Sequence, residues 1–376
     1  MAITRIGNPA IADVRGVNFR NIIINGDMSV SQRSTSQASI TSSGYYTVDR
    51  YLINLSSLGT WTMSQETDVP TGQGFSSSLK MDCTTADASP AADDQFAIEH
   101  RVEGQNLQYL KFGTSSAKSL TLSFWVKSNK TGTYVASLML NDASPKLWYS
   151  TQYTISASDT WEKKTITYPG NTAQAFDNDN GSSLRIFFWL GAGSNRSGGS
   201  NYTAWTAEPG SAPYNLCPGQ VNLADSTSNE WYMTGVQLEA GSQASDFEFL
   251  PFDVNFKRCQ RYYWGLWDKS IATANGPDGG DAAYYASSIL YFSGQHPVRM
   301  RAQPSLDQAS GTNYYKAFRS SADDDFNEFT LQTTNNRTNE TRYQMNVASN
   351  ISGTAGQAAF IRCNNANAYV FFDAEL

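Results

Sequence analysis

The sequence predicts an all-β protein with an N-terminal arm, a large jelly-roll β-sandwich, a short helical connector and a smaller C-terminal β-sandwich. Three observations lead to this prediction. Aromatic residues make up 13% of the 376 residues and charged residues only 16%, against roughly a quarter in typical soluble domains. Ser, Thr, Asn and Gly fill the polar positions, which suits strands and turns. Short runs of alternating apolar and polar residues also recur between turn-forming clusters, as in sandwiches.

Residues 1–18 form the predicted arm. Their apolar side chains are scattered and are interrupted by Gly7-Asn8-Pro9 and Gly16. So short a segment cannot bury these side chains in a core of its own, and an ordered terminus is usually tied down. We therefore expect the arm to attach to another protein or to a neighbouring subunit.

Residues 19–252 contain the predicted strands of the jelly roll. The clearest strand places four apolar residues on one face, namely Leu120, Leu122, Phe124 and Val126. The segment RNIIINGDMSVSQR is predicted to be a strand closed by a turn at Asn25–Asp27. The polar loop 192–212 has no strand pattern, and loops of this length are usually functional or disordered.

Residues 253–270 form the predicted connector, and residues 271–376 the second sandwich. Four residues spaced three or four apart predict one face of a short helix that packs across the end of the first sandwich: Phe256, Cys259, Tyr263 and Trp267. Lys257, Arg258 and Arg261 then lie on its other side. The second sandwich is predicted to have six or seven strands, with a turn at Gly294 and a strand in HPVRMRAQP.

Charge and cysteine content exclude several classes of protein. A net charge of −7 argues against nucleic-acid binding, which needs clustered Lys and Arg. The sequence shows neither an apolar signal-peptide segment nor a run long enough to insert into a membrane. The four cysteines are far apart, so we expect free, mostly buried thiols in a protein made in the cytoplasm, without zinc or disulfides.

The sequence offers no constellation for catalysis. His100 and His296 are far apart and have no neighbouring nucleophile or metal-ligand spacing, so both are predicted to be structural. The paired carboxylates lie in loops, whereas a glycosidase holds two carboxylates rigidly across a cleft. We therefore predict a protein that is not an enzyme and has no cofactor.

Metal binding is predicted to be absent, with weak candidates for calcium. The segment DNDNG, with Asp177 and Asp179, resembles half of a calcium loop. It lacks the distal bidentate Glu, and calcium needs six or more oxygen ligands.

Aromatic residues beside Asn- and Ser-rich loops are the candidate glycan-binding residues, because sugars stack on flat rings and neutral polar groups match their hydroxyls. They are Trp148, Tyr149, Tyr202 and Trp205. The alternative is that these rings attach long loops to the sandwich. Trp125 and Trp189 lie within apolar strands and are predicted to be core residues.

Several segments resemble one family. NFRNIIINGDMSVSQR, LTLSFWVKSNKTGTY and SASDTWEKKTITYPG, and above all GVQLEAG followed by CQRYY, are similar to bacteriophage tail-fibre or fibre-like virion proteins. The resemblance covers roughly residues 19–267 and implies a jelly roll like that of carbohydrate-binding modules. Such jelly rolls often hold a structural calcium, for which Asp27 is a candidate ligand. The last strand, Met233–Val236, has no carboxylate at the matching position.

The resemblance implies a non-enzymatic virion protein, released by lysis, that acts as a tail fibre or receptor-binding appendage and displays loops to host surface glycans. The alternative is a decoration or joining protein of the head or tail with a purely structural role. The expected partners are two further copies in a homotrimer, other virion proteins bound through the arm, and host cell-surface polysaccharide.

Overall fold

A computed structural model describes residues 19–267, 276–320 and 322–376. The predicted arm and the end of the connector, residues 268–270, lie outside the described residues. Within the described ranges the chain forms four antiparallel sheets and two α-helices, which are Ser194–Ser197 (α1) and Phe252–Gln260 (α2). The all-β prediction is confirmed. Short 3-10 turns lie at Gly104–Asn106, Gln108–Leu110, Leu223–Asp225 and Thr334–Asn336.

The first two sheets form the large sandwich. In spatial order, the six-stranded sheet contains β1 (Ser36–Ile40), β4 (Thr60–Glu66), β5 (Ser78–Thr85), β13 (Glu230–Ala240), β7 (Leu120–Ser128) and β10 (Glu162–Tyr168). The seven-stranded sheet contains β12 (Thr206–Ala207), β9 (Leu147–Ile155), β8 (Gly132–Leu140), β11 (Ser182–Ala192), β6 (Gln95–Glu103), β3 (Tyr51–Ser56) and β2 (Gly44–Tyr45).

Side-chain alternation sets the core between these sheets. The predicted inward face of β7 is confirmed, because Leu120, Leu122, Phe124 and Val126 are all fully buried. Trp125 lies on the opposite face of the same strand and is only half-buried, so its assignment to the core is wrong. Trp189 is buried, but in a second apolar cluster on the other side of its sheet.

The segment before β1 corrects the sequence prediction, because residues 19–35 form no strand. The chain instead crosses the sandwich end as an irregular buried segment, held by single backbone bonds such as Ile22 N to Leu238 O at 2.9 Å. The predicted turn is present: Asn25 has φ of +61° and its carbonyl accepts from Met28 N. A Cβ at Gly26 would lie 2.1 Å from the Val236 carbonyl oxygen, so this close approach requires glycine.

The connector also differs from its prediction. Helix α2 ends at Gln260, and Tyr263 and Trp267 belong to β14 (Tyr263–Trp267) rather than to a helical face. An aromatic run favours a strand, and here it has a partner, since Trp264 lies opposite Phe372 in an antiparallel ladder. Two residues of the predicted face, Phe256 and Cys259, do pack together at the sandwich end.

The C-terminal sandwich also has two sheets. The three-stranded sheet contains β14, β23 (Val370–Asp373) and β17 (Ser305–Gln308). The seven-stranded sheet contains β19 (Asp324–Phe326), β18 (Tyr315–Phe318), β22 (Ala358–Cys363), β15 (Asp278–Ala286), β16 (Ile289–Gln295), β21 (Arg342–Val347) and β20 (Thr330–Leu331). The expected strand in HPVRMRAQP is irregular, and the expected turn at Gly294 is the end of a strand. The hairpin turns earlier, at residues 287–288.

The four cysteines are buried free thiols, as predicted. Burial raises the pKa of Cys83 to about 11, so this thiol is unreactive at neutral pH. No helix in the described ranges is both long and apolar enough to span a bilayer.

Candidate functional site

The four aromatic residues predicted to stack on a glycan do not form one surface. Trp148 and Tyr149 are neighbours on β9, so they point to opposite faces of the sheet. Trp148 and Tyr202 pack in the outer apolar cluster, whereas Tyr149 and Trp205 pack against the main core. The structure therefore brings them together only as two separate pairs.

Trp148 is 4% exposed, which corrects the expectation that its ring is free for stacking. The indole stacks near Phe187, at 4.9 Å between ring centroids, and donates to Glu208 at 3.1 Å. Leu216, in the segment between β12 and β13, packs in the same cluster as the Trp148 indole. Trp148 thus attaches the loop after β11 to the sheet.

The other three residues are partly exposed and each is held by the fold. Trp205 donates its indole N–H to the Pro169 carbonyl at 2.8 Å and meets Tyr149 edge-on. Tyr202 donates its hydroxyl to the Tyr214 carbonyl at 2.5 Å. These contacts close the side of the sandwich, and glycan binding by Tyr149, Tyr202 and Trp205 stays a prediction.

The weak calcium candidates lie at two separate places. One Asp27 carboxylate oxygen accepts from the Ser29 hydroxyl and from the Asn255 amide, at 3.0 and 3.1 Å. Two neutral donors therefore already occupy this oxygen. Asp177 and Asp179 lie in an exposed loop, where Asp179 accepts from Gly181 N. Among the residues that the structure describes, no three His, Cys, Asp or Glu side chains converge as a metal-binding group.

Both histidines are buried, and both ring nitrogens of His296 are hydrogen-bonded. His296 accepts from the Trp264 indole at Nδ1 and donates to the Asn339 carbonyl from Nε2, at 3.0 and 3.1 Å. Burial lowers the pKa of His296 to about 4. Burial, followed by the charge of Arg50, lowers the pKa of His100 well below its usual value.

The most exposed aromatic ring lies elsewhere, on the outer face of the C-terminal seven-stranded sheet. Tyr285 is 72% exposed, and its ring meets Tyr291 edge-on at 5.7 Å. Together they line a shallow groove of about 690 Å³. We call its outward-facing residues the tyrosine platform: Tyr285, Tyr291, Ser293, Gln295, Arg342 and Gln344.

Strand pairing fixes the geometry of the tyrosine platform. Ser293 lies opposite Gln344, and Gln295 opposite Arg342, in the ladder of β16 with β21. The alternate residues Leu290 and Phe292 are buried in the core below. The platform therefore presents two rings, two amides and a guanidinium from strands rather than from loops, which favours a preorganised binding surface.

The two sandwiches meet through buried ion pairs. Glu103, which is fully buried on β6, accepts from Arg261 at 2.8 and 2.7 Å and also from the Tyr262 hydroxyl. Burial alone would raise the pKa of Glu103, but these hydrogen bonds and the charge of Arg261 outweigh it and lower that pKa. On the other side of Tyr262, the buried guanidinium of Arg50 lies 3.5 Å above its ring and pairs with Glu375.

A cleft of about 840 Å³ lies beside these ion pairs, between the two sandwiches; we call it the junction cleft. Its lining includes five guanidiniums and two carboxylates, which belong to Arg101, Arg258, Arg261, Arg299, Arg301, Asp179 and Glu340. Glu99 neutralises Arg101 at 2.6 Å, and Glu103 neutralises Arg261. The remaining three arginines have no carboxylate within ion-pairing distance among the residues that the structure describes.

Comparisons with known proteins give only distant likenesses. No protein-family model and no curated protein matches the chain. Tailspike protein 4 of bacteriophage CBA120, in its enzymatically active domain, is 14% identical with a TM-score of 0.32, over 59% of this chain and 22% of that one. The chain thus spans about a fifth of that tailspike. A putative sugar-binding protein from Bacteroides thetaiotaomicron is 12% identical with a TM-score of 0.33, over 58% and 99% of the two chains.

A third similar structure is the N-terminal cellulose-binding domain of β-1,4-glucanase C from Cellulomonas fimi. It is 12% identical with a TM-score of 0.29, over 57% of this chain and all of that domain. Likenesses at these scores carry no argument about function, which we base on the residues of this chain.

Proposed function

We propose that this protein is a non-catalytic structural component of a bacteriophage virion, a tail fibre or receptor-binding appendage, whose C-terminal sandwich recognises host surface glycans. The assignment to a virion rests on the sequence resemblance over residues 19–267. The observation that carries glycan recognition is the tyrosine platform. The exposed ring of Tyr285 and the partly exposed ring of Tyr291 match the C–H faces of sugar rings, and the amides and guanidinium match hydroxyl groups.

The junction between the sandwiches supports an appendage that transmits force. Arg50 pairs with Glu375, and Arg33 pairs with Asp373 at 3.2 Å while its guanidinium covers the Tyr263 ring at 3.4 Å. Buried charges that satisfy one another tolerate little displacement. We expect two sandwiches joined in this way to move as one stiff unit, as a fibre segment requires.

Substitution of the tyrosine platform is expected to weaken binding to host polysaccharide. Tyr285→Ala together with Tyr291→Ala removes both rings, and we expect an affinity loss of about tenfold or more, because aromatic stacking contributes on the order of 1 kcal/mol per ring. The measurement is adsorption of the purified protein to host cells, with titration against extracted polysaccharide.

A matched control exists on the same sheet. Phe360 is 46% exposed on β22 and lies outside the groove, so Phe360→Ala should leave binding unchanged. Equal weakening by the control, or full binding by a double variant with an unchanged melting temperature, would contradict the platform assignment. In the second case Tyr149, Tyr202 and Trp205 become the candidates.

We expect the full chain to form a homotrimer, attached to the virion through residues 1–18. Apolar side chains of α2 provide a surface for association, since Phe252 is 61% exposed and stacks on Phe256 at 5.7 Å. Light scattering on the full-length protein should give three times the chain mass. A monomer at micromolar concentration would refute the trimer.

The alternative function is that of a decoration or joining protein of the head or tail. The same stiff junction favours it, because a purely structural protein needs rigidity and no ligand. Immunogold labelling of intact particles separates the two, since an appendage is labelled at the tail tip and a decoration protein along the head or tail surface.

A further inference from the structure

The junction cleft contains a guanidinium with too few acceptors. Arg258 lies on α2 and has five N–H donors. Its one described hydrogen bond reaches the Asn21 carbonyl at 3.5 Å, which is the outer limit for such a bond. The nearby Glu248 carboxylate accepts instead from the backbone N–H groups of Phe19 and Asn21, at 3.0 and 2.9 Å.

Arg258 is also partly withdrawn from water. Burial lowers the pKa of its guanidinium below the usual value, so the environment disfavours its charge. A charge without a partner in such a place is costly, and an anion would remove that cost.

The neighbouring groups make the cleft suitable for an oxyanion. Arg301 donates to carbonyl oxygens, those of Ala374 and Glu375 at 2.7 and 2.9 Å. Among the described residues no carboxylate lies within ion-pairing distance of it, and Glu103 acts on its charge only from farther away. Arg299 is exposed on the same cleft. Asp179 and Glu340 also line the cleft. Once the paired groups are set aside, three positive guanidiniums face two negative carboxylates, so the cleft keeps an excess of positive charge.

The remaining residues that line the cleft suit a saccharide to which the oxyanion is attached. Asn106 and Tyr109 are exposed beside the guanidiniums. An amide and an aromatic ring next to a charged group match a sugar that carries an acidic substituent. The cleft also has the volume of a small-ligand site.

We propose that the junction cleft is a second binding site, which takes the carboxylate or sulfate ester of an acidic saccharide on Arg258 and Arg299. The oxyanion is inferred from the cleft alone, whereas the saccharide as its carrier rests on the proposed function. The tyrosine platform lies on a different sandwich, so the two sites can be separated by experiment.

The test uses the full chain with three probes: sulfated dextran, unmodified dextran and inorganic sulfate. We expect sulfated dextran to bind and unmodified dextran not to bind. Arg258→Gln should weaken the binding about tenfold or more, because a charge-assisted pair is lost. Arg299→Gln, at an exposed position, gives a second variant whose folding is not in question. The third probe, inorganic sulfate, is tested by thermal unfolding. It should raise the melting temperature of the wild type but not that of Arg258→Gln.

Two controls identify the site. Lys257→Gln removes the same charge from the neighbouring exposed position on α2, outside the cleft, and should change affinity less than twofold. Phe360→Ala, on the C-terminal sheet and outside both sites, should also leave sulfated-dextran binding intact. Equal loss in Lys257→Gln would indicate unspecific charge attraction, and loss in Arg342→Gln but not in Arg258→Gln would place the anion on the platform. Either result overturns the proposal.

A further variant tests whether the chain itself supplies the anion. Asp13 is the only acidic residue among residues 1–18, and Phe19, which follows that segment, lines the cleft. Binding that appears only in Asp13→Asn would show a cleft filled by the chain's own carboxylate, and would overturn the proposal. The two proposals can fail separately. If the cleft test fails while the Tyr285→Ala, Tyr291→Ala double variant still loses binding to the host, the proposed function remains supported.

Discussion

Glu103→Leu should lower the free energy of unfolding by about 3 kcal/mol, the lower end of the range for breaking a buried ion pair, because the Arg261 side chain left behind is 27% exposed. The substitution removes the acceptor for two Arg261 donors and for the Tyr262 hydroxyl at once. For domains of this size such a loss lowers the melting temperature by roughly 10 °C. Thermal unfolding followed by circular dichroism measures it.

Two controls show whether the effect comes from the buried charge pair. Glu103→Gln keeps the size and one acceptor oxygen, so it should cost clearly less than Glu103→Leu. Asp278→Asn removes one partner of an exposed ion pair with Arg362, and such pairs contribute about 0–1 kcal/mol. If Glu103→Leu is no more destabilising than Asp278→Asn, the ion pairs do not hold the sandwiches together.

The sequence predicts local features well where alternation is clean. Leu120 to Val126 predict both a strand and its buried face, and Asn25–Asp27 predicts a turn that the structure contains. The same rule of alternation separates Trp148 from Tyr149 onto opposite faces, so their division between two surfaces was available in the sequence. The burial of Trp148 could not be predicted from the sequence, because Leu216, which packs against it, comes from a loop that has no strand or helix pattern.

The tyrosine platform and the junction depend on pairing that no local pattern specifies. Tyr285 and Tyr291 share a groove only because the hairpin turns at residues 287–288, and with the turn at Gly294 the two rings would lie on one strand. Arg261 and Glu103 are 158 residues apart, and Arg50 and Glu375 are 325 apart. Such contacts follow from the packing of complete sandwiches.

Lowering the pH from 8 to 5 should remove about 2 kcal/mol of stability through His296. A further loss comes from His100, the other of the two histidines in the chain. Both have a pKa in the folded protein below the unfolded value, that of His296 being about 4. At pH 5 the unfolded chain therefore binds more protons than the folded protein does. Stability is fully present above about pH 6.5 and falls with pH, by about 1.4 kcal/mol per pH unit for each histidine.

The histidine variants isolate this effect from that of the carboxylates. Most carboxylates titrate below pH 5, apart from groups such as Asp49 and Asp142, whose pKa burial raises. His100→Gln and His296→Gln should each remove part of the pH dependence, whatever they do to stability at pH 8, and the double variant should remove most of it. For His296, geometry acts together with burial: a proton on Nδ1 would face the Trp264 indole N–H, 3.0 Å away, which already donates to that nitrogen. Urea unfolding at pH 8, 6.5 and 5 gives the slopes. A double variant that keeps the wild-type slope would show that other groups take up the protons.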